Sequence, residues 1–306
     1  MTRLTDLELF VRTADLGSLT AAAKAMGWSP AAASATVKRL EAAWGAEIFV
    51  RSTRSLRLSA QGERMLPLVR EALNALGEAQ SLASNGHTAL RGELQISMPS
   101  DLGRNVLLPW LDTFQKRHPD LALRLHLSDR NADFMRAPMD MAIRYGPPRD
   151  SAQVALPLVH GATRILVASP GYVRQHGLPA TPHELLQHEA LRLMVGDEVP
   201  RSWRLRVGGE WIEVPVQGRR SANDSEVVTR WALNGLGIAY RAQIEMAGHL
   251  AEGRLVHINP HWEGEPALLH LVVPGRKQVT AAVRALRDHL TPLLTTLAAQ
   301  HVAPKA

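Results

Sequence analysis

Residues 17–62 read GSLTAAAKAMGWSPAAASATVKRLEAAWGAEIFVRSTRSLRLSAQG, and the spacing of glycines, serines and apolar residues in this stretch decides how the chain begins to fold. Gly17 can end a preceding helix and Ser18 can cap the next, in which Leu19, Ala22, Ala23 and Met26 fall at i, i+3, i+4 and i+7. Gly27 ends that helix, and Ser29 can cap a third with Pro30 in its first position and Ala33, Val37, Leu40 and Trp44 turned inward. Upstream, Thr5-Asp6-Leu7-Glu8 has the spacing of a capping box, so a first helix is predicted to run to about Leu16 with Leu4, Leu7, Val11 and Ala14 at helical spacing and Phe10 beside them. Two short helices joined by a tight turn fit a helix-turn-helix, whose second helix enters the major groove of DNA.

On the third helix Ala31, Ser34, Ala35 and Lys38 share the face away from the apolar stripe, and with Ser29 and Ala32 at its start they form the candidate DNA-facing set. Downstream, IFVRSTRSLRLS alternates around a turn and carries Arg51, Arg54 and Arg57 without an acid, as a two-stranded wing against a phosphate backbone would. A helical bundle with an exposed basic hairpin accounts for the same pattern. Charge favours the first reading, because Lys24–Arg57 carries six basic and two acidic residues within a chain of 306 residues whose net charge is +6.

The length suggests about two domains. With 45% hydrophobic and 21% charged residues the composition is that of a globular protein, and zero cysteines exclude disulfides, thiolate metal sites and thiol nucleophiles. The start MTRLTDLELFVRTADLG has acids inside its apolar stretch, and no window approaches 18 consecutive apolar residues, so a cytoplasmic protein without a membrane partner is expected.

The stretch quoted above resembles the DNA-binding module of LysR-type transcriptional regulators in its paired alanines, its recognition-helix serine, and the Leu-Glu, Gly and Ile-Phe that follow. The resemblance implies a winged helix-turn-helix, a long dimerising linker helix and a two-lobed α/β effector-binding domain of the periplasmic-binding-protein type. Family members usually carry Gln-Pro or Pro-Ser where this chain has Pro30-Ala31, and often a long polar or basic side chain at Ala35 and Thr36. Thymine-methyl contacts and shape readout therefore gain weight over base-specific hydrogen bonds.

Ser59 can cap a helix from Ala60 to about Ser84, in which Leu66, Val69, Leu73 and Leu76 make an apolar seam. The family reading places that seam in a dimer, or in a tetramer built from it; packing on its own domain is the alternative. Residues 85–91 read as a hinge after a DNA-binding domain at 1–58 and a linker at 59–84. From residue 92 short apolar strands alternate with helices: ELQISM, then a helix capped by Ser100 or Asp101 and running to about His118, then LALRLHL and MDMAIRY. DLGRNVLLPWLDTFQKRHPDLALRLHLSD, MDMAIRYGPP, RILVASPGYVRQHG and ALNGLGIAY resemble the family's effector domain in the same order, which implies lobe one at 92–160 and 266–306 and lobe two at 161–265.

Pro99-Ser100-Asp101 leaves a strand and enters a helix, so backbone N–H groups and a hydroxyl should converge at the C-terminal end of a sheet strand, where open α/β sheets bind ligands. By resemblance, Ser100, Arg144 and Asn223 look into the inter-lobe cleft. A helix start and an arginine suit a carboxylate, so the expected effector is a small organic acid, although Asp101 in the first turn would repel one. Gly235-Leu236-Gly237 has Tyr240 where a dinucleotide fingerprint needs its third glycine and follows a helical pattern, so it reads as a helix end. Pro260 between His257 and His261 argues against a metal pair, and neither G-x-S-x-G nor H-E-x-x-H occurs, so no cofactor, metal or catalytic residue is expected. The expected function is a DNA-binding transcriptional regulator, at least dimeric, that binds double-stranded operator DNA and a small effector. The alternative from another class is a cytoplasmic solute-binding or enzymatic two-lobed protein with a basic helical appendage.

Overall fold

The computed structural model describes residues 2–51, 56–83, 90–130, 139–148 and 151–299, with the backbone alone at 51, 74 and 77–83. Arg54, most of the expected hinge and the end of the linker at Ser84 lie outside the described residues, as does the side chain of Arg51. The chain divides into two compact units, residues 1–88 and 89–306.

The first unit runs α1 (Leu4–Leu16), α2 (Leu19–Ala25), α3 (Pro30–Trp44), β1 (Phe49–Arg51), β2 (Leu56–Leu58) and α4 (Ala60–Ala83). Local chemistry sets these boundaries. Gly17 is left-handed at φ 60°, the Ser18 hydroxyl accepts from the Ala21 amide at 3.3 Å, Ser29 accepts from Ala32 at 3.2 Å, and Ser59 accepts from Gly62 at 2.9 Å. The capping box of α1 is shifted from the predicted one: Asp6, not Glu8, reaches back, accepting from the Arg3 amide at 3.2 Å. Asp6 is buried and also binds Arg39 of α3 at 2.7 Å, so it ties the first helix to the third while closing its end. Burial pushes its carboxyl up, but hydrogen bonds from Arg39 and the Arg3 amide outweigh this and hold it below its ordinary value. The core is Leu9, Phe10, Ala22, Ala23, Ala33, Val37, Leu40, Ile48 and Phe49, with the Phe10 ring edge-on to Trp44 and Phe49 at 5.8 and 5.6 Å. β1 and β2 pair antiparallel, Val50 against Arg57.

The linker seam packs in part on its own unit. Val69 belongs to this same core, and Leu66 and Leu73 pack against it, because α4 lies on α1 and is held there by an Arg70–Asp15 ion pair. Of the four expected seam residues only Leu76 is exposed, and it shares a stripe with Leu68, Ala72 and Ala75.

The second unit contains β3 (Gly92–Met98), a helical segment that is π-wound over Leu102–Leu107 before α5 (Leu108–Arg117), β4 (Leu121–Leu127), β5 (Met141–Tyr145) and β6 (Val154–Val159). It continues with β7 (Arg164–Ala168), α6 (Pro170–His176), β8 (Ala190–Leu193), β9 (Ser202–Val207), β10 (Glu210–Pro215) and β11 (Arg220–Ala222). It closes with α7 (Ser225–Leu233), β12 (Ile238–Ala242), α8 (Gln243–Ala251), β13 (Val256–His257), β14 (Glu263–Gly264), β15 (Leu269–Val273) and α9 (Ala281–Ala299).

One five-stranded sheet has the order β4-β3-β5-β15-β6 and another β11-β8-β12-β7-β13; a third sheet, β10-β9-β14, is absent from the sequence reading. In the first sheet β3 is parallel to both neighbours while β15 runs antiparallel to β5 and β6, so the chain returns to it after building the second. The two sheets meet where three crossing segments hydrogen-bond to one another: Ala267 N donates to Ala162 O at 2.7 Å, Arg164 N to Glu265 O at 2.8 Å, and Gln243 N to Thr163 O at 2.9 Å. α8 is a shared wall. Ile244 belongs to the core of the first sheet, and Met246 to one core of the second.

Candidate functional sites

In the first unit the third helix presents Ala31, Ala32, Ala35 and Lys38 to solvent, with Ser34 half-buried and Ser29 exposed at the cap. Its opposite side, Ala33, Thr36, Val37 and Leu40, is buried, with Trp44, like Ser34, half-buried. Arg57 is exposed on the second wing strand. Among the described residues these groups form one exposed, cationic helix face and a basic strand. Such surfaces can meet base edges and phosphates.

In the second unit the expected cap at Ser100 has a different role. The helix starts one residue earlier, with Pro99 O accepting from Gly103 N at 2.8 Å, so the Ser100 hydroxyl is released from capping. It points across to α7, lying 2.8 Å from Asp129 Oδ2, 3.0 Å from Asp224 Oδ1 and 3.1 Å from Ser225 Oγ. Asp129, just beyond β4, accepts from the amides of Ser100 at 3.3 Å and Ser225 at 2.6 Å and from the Ser225 hydroxyl at 2.9 Å. Asp224 caps α7, accepting from the amides of Glu226 and Val227 at 2.9 and 3.1 Å. Two helix starts thus face each other across carboxylates. Glu226 binds both Arg104, from the opposite side, and Arg230 of its own helix.

Asp101 is 0% exposed and does not face a ligand opening. Its carboxylate binds Asn105 at 2.7 Å, Thr229, and Arg241 at 3.2 Å, while Arg241 also holds Glu245 at 2.6 Å. The repulsion expected of Asp101 towards an anion is answered by that buried arginine. Burial pushes the Glu245 carboxyl up to about 7 against the pull of Arg241, with Asp101 adding to the rise.

Arg144 lies at the end of β5, donating to Ser97 Oγ at 2.6 Å, Ile143 O at 2.7 Å and Arg130 O at 3.1 Å. None of these partners is charged, and its Nε is buried without a hydrogen-bond partner among the described residues. Burial draws its pKa down to about 10, with the charge of Asp129 opposing. Asn223 is exposed and stands one residue ahead of the α7 cap, and no hydrogen bond among the described residues brings it to the Ser100 cluster. Asp129, Asp224 and Ser225 escaped the sequence reading. Asp224-Ser225-Glu226 ahead of an apolar helix was a legible cap signal, whereas nothing local marks Asp129.

Among the described residues no group of three or more potential metal ligands occurs, and no helix is long and apolar enough to cross a membrane.

A winged helix-turn-helix unit joined to a two-sheet α/β unit with polar helix starts facing each other defines the class of effector-responsive transcriptional regulators. The chain belongs to the LysR family: residues 4–63 match the bacterial regulatory helix-turn-helix protein, lysR family, and residues 87–294 match the LysR substrate binding domain. It is 33% identical to the probable HTH-type transcriptional regulator LtrA of Klebsiella pneumoniae, covering 98% of each chain. It is 31% identical to the HTH-type transcriptional regulator DmlR of Escherichia coli, covering 94% of this chain and 93% of that one. The full-length structure of the Vibrio cholerae virulence activator AphB is similar, with 26% identity, TM-score 0.56 and coverage of 95% and 99%. That of CrgA from Neisseria meningitidis has the same fold, with 24% identity, TM-score 0.61 and coverage of 96% and 99%. These domains and relatives are those of transcriptional regulators and not of enzymes.

Proposed function

We propose that this regulator reads a two-fold operator through α3 and the wing, that two copies associate through α4, and that a small organic acid bound between the two sheets of the second unit changes operator binding. The observation that carries the choice of acid is Arg144, a desolvated guanidinium at the C-terminal end of a sheet strand whose hydrogen-bond partners are all uncharged. Pro99 and Ser100 follow the end of the neighbouring parallel strand β3, and Asp101 supports that end from behind through Arg241. The exposed stripe Leu68, Ala72, Ala75 and Leu76 replaces the inward-facing Leu66, Val69 and Leu73 as the surface for the second copy.

Footprinting of DNA upstream of the protein's own gene, with and without acidic, neutral and cationic metabolites, tests the reading. A protected palindrome whose occupancy shifts with an acid, and shifts no longer in Arg144→Ala, supports it. A response confined to neutral or cationic compounds, or one that persists in Arg144→Ala, rules out the acid site.

A further inference from the structure

The geometry points to Asp129 as a built-in competitor of the effector: its carboxylate occupies the place of the ligand's carboxylate and latches the two sheets of the second unit together until an acid displaces it. The inference rests on the effector site described above. Four donors converge on this one side chain, the amides and hydroxyls of Ser100 and Ser225, at 2.6 to 3.3 Å. Two come from the helix start after β3 and two from the start of α7, so a single carboxylate spans the cleft. The remaining amides at these starts are also engaged: Asp101 N donates to Ser225 Oγ at 3.1 Å, and Asp224 takes those of Glu226 and Val227.

A second observation, independent of the helix starts, is Arg144. Its half-buried guanidinium donates only to uncharged acceptors, and Asp129 is the acid whose charge acts on it. It also grips the carbonyl of Arg130, the residue after Asp129, and so ties the backbone beyond β4 to β5. Two half-exposed carboxylates of the chain itself, Asp129 and Asp224, stand at these donors, and Asp129 is the one bonded from both helix starts. Because an intramolecular group competes at an effective concentration in the millimolar range, a free monocarboxylate binds the parent weakly and binds a protein lacking Asp129 better.

Chemical rescue in the full-length protein tests this. Asp129→Ala should melt below the parent, and acetate at about ten times its Kd should raise the variant's Tm by about 2–4 °C while leaving the parent within 1 °C. Acetamide, of the same shape but uncharged, should rescue neither. Asp129→Asn keeps the side chain's volume, and calorimetry should show it binding acetate at least about tenfold more tightly than the parent. Equal effects of acetate and acetamide on Asp129→Ala, or equal acetate affinity of parent and Asp129→Asn, would overturn the latch. The two readings fail separately. Acetate rescue with no acid altering operator binding keeps the latch and removes the acid effector; acids that alter operator binding equally in parent and Asp129→Asn do the reverse.

Discussion

Serines show how far a single residue can be read. Ser18, Ser29 and Ser59 cap helices as their spacing predicts, because a cap is satisfied by an amide three residues away. Ser100 has the same local signature, but its partners lie 29, 124 and 125 residues on, and no pattern in the neighbouring sequence records them. The same limit hid the ion cluster of Asp101, Arg241 and Glu245, in which one guanidinium serves two carboxylates away from water. Glu245, held at about 7, is the acid that burial disfavours when charged. Since its folded value lies above its unfolded one, the stabilisation from keeping it protonated is complete below about pH 4.5 and is lost as pH rises to about 7. Glu245→Gln stays neutral throughout. The Tm of the variant relative to the parent is therefore expected to rise between pH 5 and pH 7 and to level off above, measured by thermal unfolding in matched buffers. A difference that is flat with pH would remove Glu245 from this role.

At the scale of elements, periodicity marked which face of α3 is buried but could not say what covers the apolar face of α4. An amphipathic stripe has the same spacing whether it meets its own domain or a second chain. Here it meets α1, so Leu73→Glu is expected to destabilise the N-terminal unit by about 2 kcal/mol or more. Leu76→Glu, on the exposed stripe, should leave its melting unchanged and shift the mass in solution towards the monomer. Sedimentation and thermal unfolding of the pair separate the two surfaces. Where the wing meets α4, a Cβ on Gly62 would stand 2.2 Å from the Ile48 carbonyl oxygen, a backbone atom that also accepts from Ser59. Gly62→Ala should cost about 1–3 kcal/mol in chemical denaturation. The π-wound turn at Leu102–Leu107 was illegible for a related reason: Gly103 lies so close to Met98 and Leu127 that tertiary packing, not propensity, sets the winding.

For the whole molecule, the alternation of strands and helices was enough to give an α/β architecture, since strand periodicity and turn residues are local. The return of the chain from the second sheet to β15 came only from family resemblance, and the hairpin sheet of β9, β10 and β14 came from neither. Function at this scale joins a DNA-binding unit to an effector-binding one. Lys38→Ala and Arg57→Ala should each weaken binding to operator and random DNA alike and lower the slope of log K against log salt by roughly 0.9. A change at one operator position with an unaltered slope would instead make the residue a base reader.

The three hydrogen-bonded crossings at Ala162–Arg164, Ala242–Gln243 and Glu265–Ala267 also decide how the effector unit can move. Independent tethers would let one lobe slide, tilt or twist on the other. Segments bonded side by side resist sliding, because each would have to break bonds to its neighbour, but they can wind and unwind together. The crossings act as a torsion bar with a single soft coordinate. Asp101, next to Ser100, binds Arg241 beside the Ala242–Gln243 crossing, so a twist of the bar reaches the helix start that carries Ser100.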